Sequence, residues 1–247
     1  MSDPHVVGPI YGGSVMAVSP ENLSAALTVL GPADEADSPE QVWAQSSRFF
    51  PSHWTSRWPE SLLLPPVLDS TEKVLSVSRQ ALFDLGESIA SEADAMNFYV
   101  AVCAWGAGTS AQQTRRSILP LREPGAPERL LEGLTSATAG SADDGYALFN
   151  HAGPSKIKWL GPAFFTKLLY FAAGRPTPSD TRHPLILDRR VAVALGWTKT
   201  FGWPTSEYSH YLDLVEQLHE RWRPDLPTDV IEYSLFHAGR TPDAPSI

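Results

Sequence analysis

Cysteine is almost absent from this 247-residue chain, with Cys103 its single copy. One thiol excludes an intrachain disulfide, a CxxC zinc site and a four-cysteine iron–sulfur cluster. Set in Val100-Ala101-Val102-Cys103-Ala104-Trp105, it is expected to be buried and inert. The seven histidines show no HxxxH or HxH spacing, so no histidine metal site and no cofactor are expected. Positive charge is also scarce: 19 Lys and Arg against 28 Asp and Glu leave a formal charge of −9. That balance weighs against a protein that coats nucleic acid nonspecifically, since such binding is carried by Lys and Arg on phosphates. Long apolar runs are missing. The longest, Leu160 to Ala173, carries Lys167 and is too short to span a bilayer. Residues 1–30 lack the basic start and unbroken apolar run of a secretory leader. A soluble, cytoplasmic protein with no membrane partner is expected. Strand signals are confined to Val6–Tyr11 and Val15–Val18, and no internal repeat occurs.

Helix signals are plentiful. A chain of this length can bury one sizeable core, or a main domain with a smaller lobe. Ser19-Pro20-Glu21 has N-cap and N1-proline chemistry, and Gly31 is a natural stop. Residues 32–70 are rich in proline, with Phe49, Phe50, Trp54 and Trp58 between the prolines, and read as an extended, aromatic-anchored excursion over the core. A helix is expected from Ser70 through Val74, Val77, Ala81, Leu82 and Leu85. Another starts at Ser91 with Asp94 in capping-box spacing, and Gly106-Ala107-Gly108-Thr109-Ser110 breaks it before Ala111 to Arg116. Gly106 and Gly108 either leave room for a ligand or only turn the chain. Helix pairs are expected at 127–139 with 141–150, and at 155–160 with 162–173. Helices over 189–195, 205–222 and 228–238 complete the chain, which is read as one mainly α domain, with residues 71–247 as its helical core and a small N-terminal lobe as an option.

The most informative stretch is Gly161-Pro162-Ala163-Phe164-Phe165-Thr166-Lys167-Leu168-Leu169-Tyr170-Phe171, followed after a polar connection by Pro184-Leu185-Ile186-Leu187-Asp188. A lone carboxylate ends a hydrophobic run just where a helix begins. By composition, Asp188 is a helix cap; by chemistry, it is a carboxylate placed to stabilise positive charge.

This stretch resembles the helix-hairpin-helix DNA glycosylases, the superfamily that includes the 8-oxoguanine glycosylases. There a Leu-Pro-Gly-Val-Gly hairpin leads into an apolar helix, and a Pro-x-x-Asp segment then carries the catalytic aspartate. Ile157-Lys158-Trp159-Leu160-Gly161 occupies the hairpin, and Pro184 to Asp188 the catalytic segment. Ser110-Ala111-Gln112-Gln113-Thr114 is similar to a stretch near the target base in several members. The likeness is carried by residues 155–195 and more weakly by 98–116. It implies a mainly α, glycosylase-like helical fold acting on DNA, with Asp188 at the oxocarbenium-like transition state of N-glycosidic cleavage.

The departures are informative. The position of the Schiff-base lysine in bifunctional members holds Ala163, while Lys167 lies one turn further along the same face. Lys167 is either a nucleophilic amine among apolar neighbours or a lysine snorkelling at the rim of a packed helix. Trp159 replaces the first hairpin glycine and only Gly161 remains, so backbone gripping of a phosphate is weakened. Lys156 and Lys158, and the doublets Arg115-Arg116 and Arg189-Arg190, are candidate nucleic-acid contacts. Gln112, Gln113, Trp105 and Phe164 are candidates for the base pocket, although most large aromatics at helical spacing fill cores.

The favoured reading is excision of an 8-oxoguanine-type base from DNA. Related compact proteins of this fold occur in bacterial defence operons, so the resemblance also admits a role against foreign or modified nucleic acid. The rival is a divergent binding protein for a modified nucleobase or nucleoside, or for a protein partner. The acidic charge, Trp159 and Ala163 favour that rival; the Pro-Leu-Ile-Leu-Asp segment favours the enzyme.

Overall fold

Capping chemistry starts most of the helices. In a computed structural model, which describes residues 18–239, the Ser19 hydroxyl accepts from Asn22 N and opens α1, Pro20–Leu30. Ser38 does the same for α2, Pro39–Ala44, in a full capping box with Gln41. Two short strands, β1 (Ser46–Phe49) and β2 (Leu75–Ser78), pair antiparallel with Ser46 opposite Ser78. Between them lies α3, Pro51–Thr55, whose Trp54 is fully buried. There follow α4 (Arg79–Gly86), α5 (Glu92–Ala107), α6 (Ala111–Ile118), α7 (Ala126–Ala139) and α8 (Ala142–Phe149). The series closes with α9 (Pro162–Ala172), α10 (Arg189–Ala194), α11 (Thr205–Trp222) and α12 (Asp229–Ala238). The described residues are thus mainly α, as expected.

Two helices form the axis of the core. Every residue from Phe98 to Ala104 in α5 and from Phe165 to Ala172 in α9 is buried, the pattern of helices wrapped on all sides. α9 packs against α4, α5, α7 and α8, and α10 packs against α12. One contiguous hydrophobic cluster runs from Leu23 in α1 to Leu235 in α12. Truncating a ring at its centre, such as Phe171, costs about 3–5 kcal/mol in cores of this kind. Cys103 is buried among these residues, and burial pushes its thiol up to about 12.

Three expectations are corrected. The helix expected from Ser70 begins only at Arg79, because Leu75–Ser78 is held in the β1–β2 ladder and the Ser78 hydroxyl caps Ala81 N at 3.2 Å. Residues 32–70 are only partly extended, since α2, β1 and α3 form there; proline at the first turn of α2 and α3 starts these helices rather than preventing them. Residues 155–160 form no helix. Turns close Lys156 N to Gly153 O and Leu160 N to Ile157 O, and Trp159 sits at φ +72°, where an α-helix cannot continue. The strand signals at 6–11 and 15–17, and with them the optional N-terminal lobe, lie outside the described residues, and Val18 belongs to no strand.

Candidate active site

The segment Leu185–Leu187 is buried between α9 and α11, and its backbone is held by side chains instead of by a sheet. Leu185 N donates to the Tyr208 hydroxyl at 3.0 Å, the Tyr211 hydroxyl donates to Ile186 O at 3.1 Å, and Leu187 N donates to Thr166 Oγ1 at 3.2 Å. With Leu185, Ile186 and Leu187 fully packed, the chain delivers Asp188 to a fixed place. The sequence reading missed Thr166, Tyr208 and Tyr211; their only signal is that Thr166 precedes Lys167 and that the tyrosines sit three apart on one helix face.

Asp188 divides its two oxygens between two tasks. Oδ1 accepts from Arg190 N at 2.9 Å and Val191 N at 3.3 Å, which caps α10. Oδ2 accepts from Lys167 Nζ at 3.2 Å. The cap and the ion pair therefore coexist in one side chain. Burial pushes the carboxyl up, but the Lys167 ammonium and the two backbone N–H groups outweigh it and hold Asp188 below the usual carboxylate value.

Lys167 extends back along α9, and Nζ also donates to Ala163 O at 2.7 Å. Its ammonium thus lies over the helix turn that starts at Ala163, one turn N-terminal to its own Cα, as side-chain direction in a helix dictates. The lysine stem passes close to Gly106, which lies inside α5 and not in the expected break; a Cβ there would make ordinary van der Waals contact with Lys167 Cδ at 3.4 Å and Phe164 Cε1 at 3.5 Å. The break comes instead at Gly108, whose φ of +56° ends α5.

The pair opens on a cavity of about 500 Å³ lined by Gln45, Ser46, Ser47, Trp105, Gly106, Gln113, Ala163, Phe164, Arg189, Arg190 and Phe236. Trp105, Gln113 and Phe164 are thereby brought to one wall, while Gln112 is exposed and lines no described cavity. Arg189 and Arg190 are exposed at the rim, with the Arg190 guanidinium 4.7 Å from the Phe236 ring centroid. Lys156 and Lys158 lie apart from the cavity on the turn before α9. Lys156 Nζ donates to His151 O at 3.1 Å, and Lys158 Nζ lies 5.1 Å from the Trp159 ring centroid. Gly161 caps α9 with an ordinary φ of −93° and open space beside it. The cavity residues from β1 and Phe236 were missed, because short polar strands and a terminal-helix ring carry no motif.

A second ion pair lies behind the first. Arg79 NH1 meets Glu232 Oε2 at 2.8 Å with both side chains about 1% exposed. The Tyr170 hydroxyl donates to Asp229 at 2.7 Å and also accepts from Arg79 NH1 at 3.2 Å. The Arg79 guanidinium lies 5.2 Å from the Trp105 ring centroid, so this network backs the cavity wall. Burial pushes the Glu232 carboxyl up, against the pull of Arg79.

A mainly α fold thus holds a lysine–aspartate pair at the start of a helix, beside a cavity of about 500 Å³. Residues 40–236 match the family described as "Putative 8-oxoguanine DNA glycosylase OGG-like protein", and the chain belongs to that family. No curated protein and no solved structure matches it.

Proposed function

We propose that this protein excises an oxidised purine, of the 8-oxoguanine class, from DNA, with Asp188 and Lys167 as its working pair. The observation that carries the reading is the 3.2 Å contact between Lys167 Nζ and Asp188 Oδ2 at the wall of an open cavity. Cleaving the bond between C1′ and purine N9 leaves the electron pair on the base and positive charge on the sugar. A preorganised carboxylate stabilises that charge more than it stabilises the ground state. Asp188 suits the task because it stays ionised across the neutral range. Water adding to C1′ and giving up a proton completes hydrolysis.

Lys167 takes one of two parts in the same geometry. As an ammonium it orients Asp188 and gives a proton to the departing base. As an amine it displaces the base from C1′, passes one proton to the base, and becomes a protonated Schiff base as the sugar ring opens, the C1′–O4′ electron pair leaving on O4′, which takes a proton from water; this is the role that the usual lysine position, here Ala163, does not fill. Arg189 and Arg190 at the rim offer phosphate contacts on an otherwise acidic chain. Gln113 on the cavity wall is placed to read a base edge, and Phe164 to stack on its face.

Single-turnover base release from duplex and single-stranded oligonucleotides carrying modified purines tests the reading, with borohydride added to parallel samples. Release that is lost in Asp188→Asn supports it, and an adduct lost in Lys167→Gln assigns the amine role. Absence of release on every oxidised-purine substrate, with a folded protein, rejects it.

A further inference from the structure

The turn that leads into α9 does something its sequence does not require. Leu160 N closes on Ile157 O at 3.1 Å, so Trp159 is the third residue of a four-residue turn, and it holds φ +72°. Glycine adopts that backbone freely, whereas a bulky side chain is strained there, and such strain persists where a side chain is needed in place. Trp159 is the sole non-glycine residue with positive φ among the described residues, and 63% of its surface is exposed. Its neighbours Ile157 and Leu160 are buried and anchor the turn, so the ring is displayed, not loose.

Trp159 lines a second cavity, and Phe201, 79% exposed and followed by Gly202 at φ +67°, lines it too. Buried Trp203 fixes that loop, with Nε1 donating to Lys199 O at 3.1 Å and its carbonyl accepting from the Tyr146 hydroxyl at 2.7 Å. The cavity, about 510 Å³, is separate from the Asp188 cavity but shares Gln113, Ala163 and Phe164 with it. The two are therefore neighbouring compartments of one groove. Arg116 lines the second compartment, and the Lys158 ammonium stands beside Trp159. Two displayed rings, an apolar floor and cations at the edge match an unpaired nucleotide: rings for the base, cations for its phosphate.

We propose that Trp159 and Phe201 form an aromatic clamp that stacks an unpaired base adjacent to the target nucleotide, so that the protein favours single-stranded or splayed DNA over intact duplex. The proposal rests on reading the Asp188 cavity as the excision site. A base held in regular duplex is already stacked on its neighbours and cannot enter the clamp without unpairing.

The test is a fluorescence-anisotropy titration of an unmodified 12-mer and its matching duplex at one fixed salt concentration, using wild type, Trp159→Gly and Phe201→Ala. A second strand carrying 2-aminopurine reports stacking by quenching. Thermal melting of each variant serves as the folding control; Trp159→Gly relieves the positive-φ strain and Phe201 is exposed, so both are expected to fold. Each substitution is expected to weaken single-strand binding about ten-fold, as loss of one stacked base does, to abolish the 2-aminopurine quench, and to change duplex affinity less than about two-fold. Unchanged single-strand affinity in both variants overturns the clamp, as does wild-type binding that favours duplex or is absent for both forms. Base release measured in parallel separates the two readings. Release that needs Asp188, with single-strand binding indifferent to the rings, leaves the glycosylase and removes the clamp. Ring-dependent single-strand binding without base release on any substrate leaves the clamp and removes the glycosylase.

Discussion

Two ion pairs lie near Trp105, Arg79–Glu232 against its ring and Lys167–Asp188 in the cavity that it lines, and they differ in what surrounds them. Arg79–Glu232 is sealed, with both side chains about 1% exposed and the guanidinium also held by Gln45 and Tyr170. Lys167–Asp188 is 8% and 15% exposed and opens on a cavity. One helix links them, since Lys167 and Tyr170 stand three residues apart on α9. Burial is the largest influence on both carboxylates and raises each, yet Asp188 ends below its usual value and Glu232 above it. Glu232 is the more deeply buried and feels the Asp188 charge as well, whereas Asp188 is lowered by Lys167 and by two backbone N–H groups at the start of α10 that have no counterpart at Glu232. A sealed pair fixes architecture; an open pair whose carboxylate is kept charged is available for chemistry.

Substitutions break this comparison in graded ways. Arg79→Met leaves Glu232 buried and uncompensated, and chemical denaturation is expected to show a loss of about 3–5 kcal/mol. Asp188→Asn is expected to lower single-turnover base release by about 10²- to 10³-fold. It should cost roughly 1–3 kcal/mol of stability, because asparagine keeps the cap on α10 while Lys167 loses its charged partner and keeps only Ala163 O. Lys167→Gln is expected to reduce release by about 10²-fold, the lower end of what one positioned proton-transfer group contributes.

The smallest effect is on the pH dependence of stability, and its sign differs between the pairs. Asp188 is depressed, so its stabilising contribution is full above the unfolded value of about 3.9 and is lost as pH falls through the lower folded value. Glu232 is raised, so the folded protein loses stability relative to Glu232→Gln as pH rises from about 4.3 through the folded value. Denaturation midpoints of each variant against wild type, taken between about pH 3 and 7, should diverge with opposite slopes.

Much of the helical framework was legible because capping is local. Ser19, Ser91, Ser110 and Ser141 each start the helix that their position announces. The β1–β2 hairpin was not legible: four residues such as Ser46-Ser47-Arg48-Phe49 are too few to show alternation, and their partner lies about thirty residues on. Residues 155–160 misled because Ile157 and Leu160, three apart among polar neighbours, mimic helical spacing, while nothing in a tryptophan announces a positive φ. At the site, Asp188 and Lys167 stood out by chemistry and by resemblance. The resemblance was visible over residues 155–195, although the family match spans 40–236. Thr166, Tyr208, Tyr211 and Arg79 remained hidden, since each acts through a partner at least twenty residues away that only the fold brings near.

The most direct test measures base release and unfolding free energy together in Asp188→Asn and Glu232→Gln. The predicted result is a crossover: Asp188→Asn loses release by at least about 100-fold while remaining folded, whereas Glu232→Gln keeps release within about five-fold while its stability shifts. Loss of release in Glu232→Gln with full release retained in Asp188→Asn would contradict the assignment of the open pair as the reactive one.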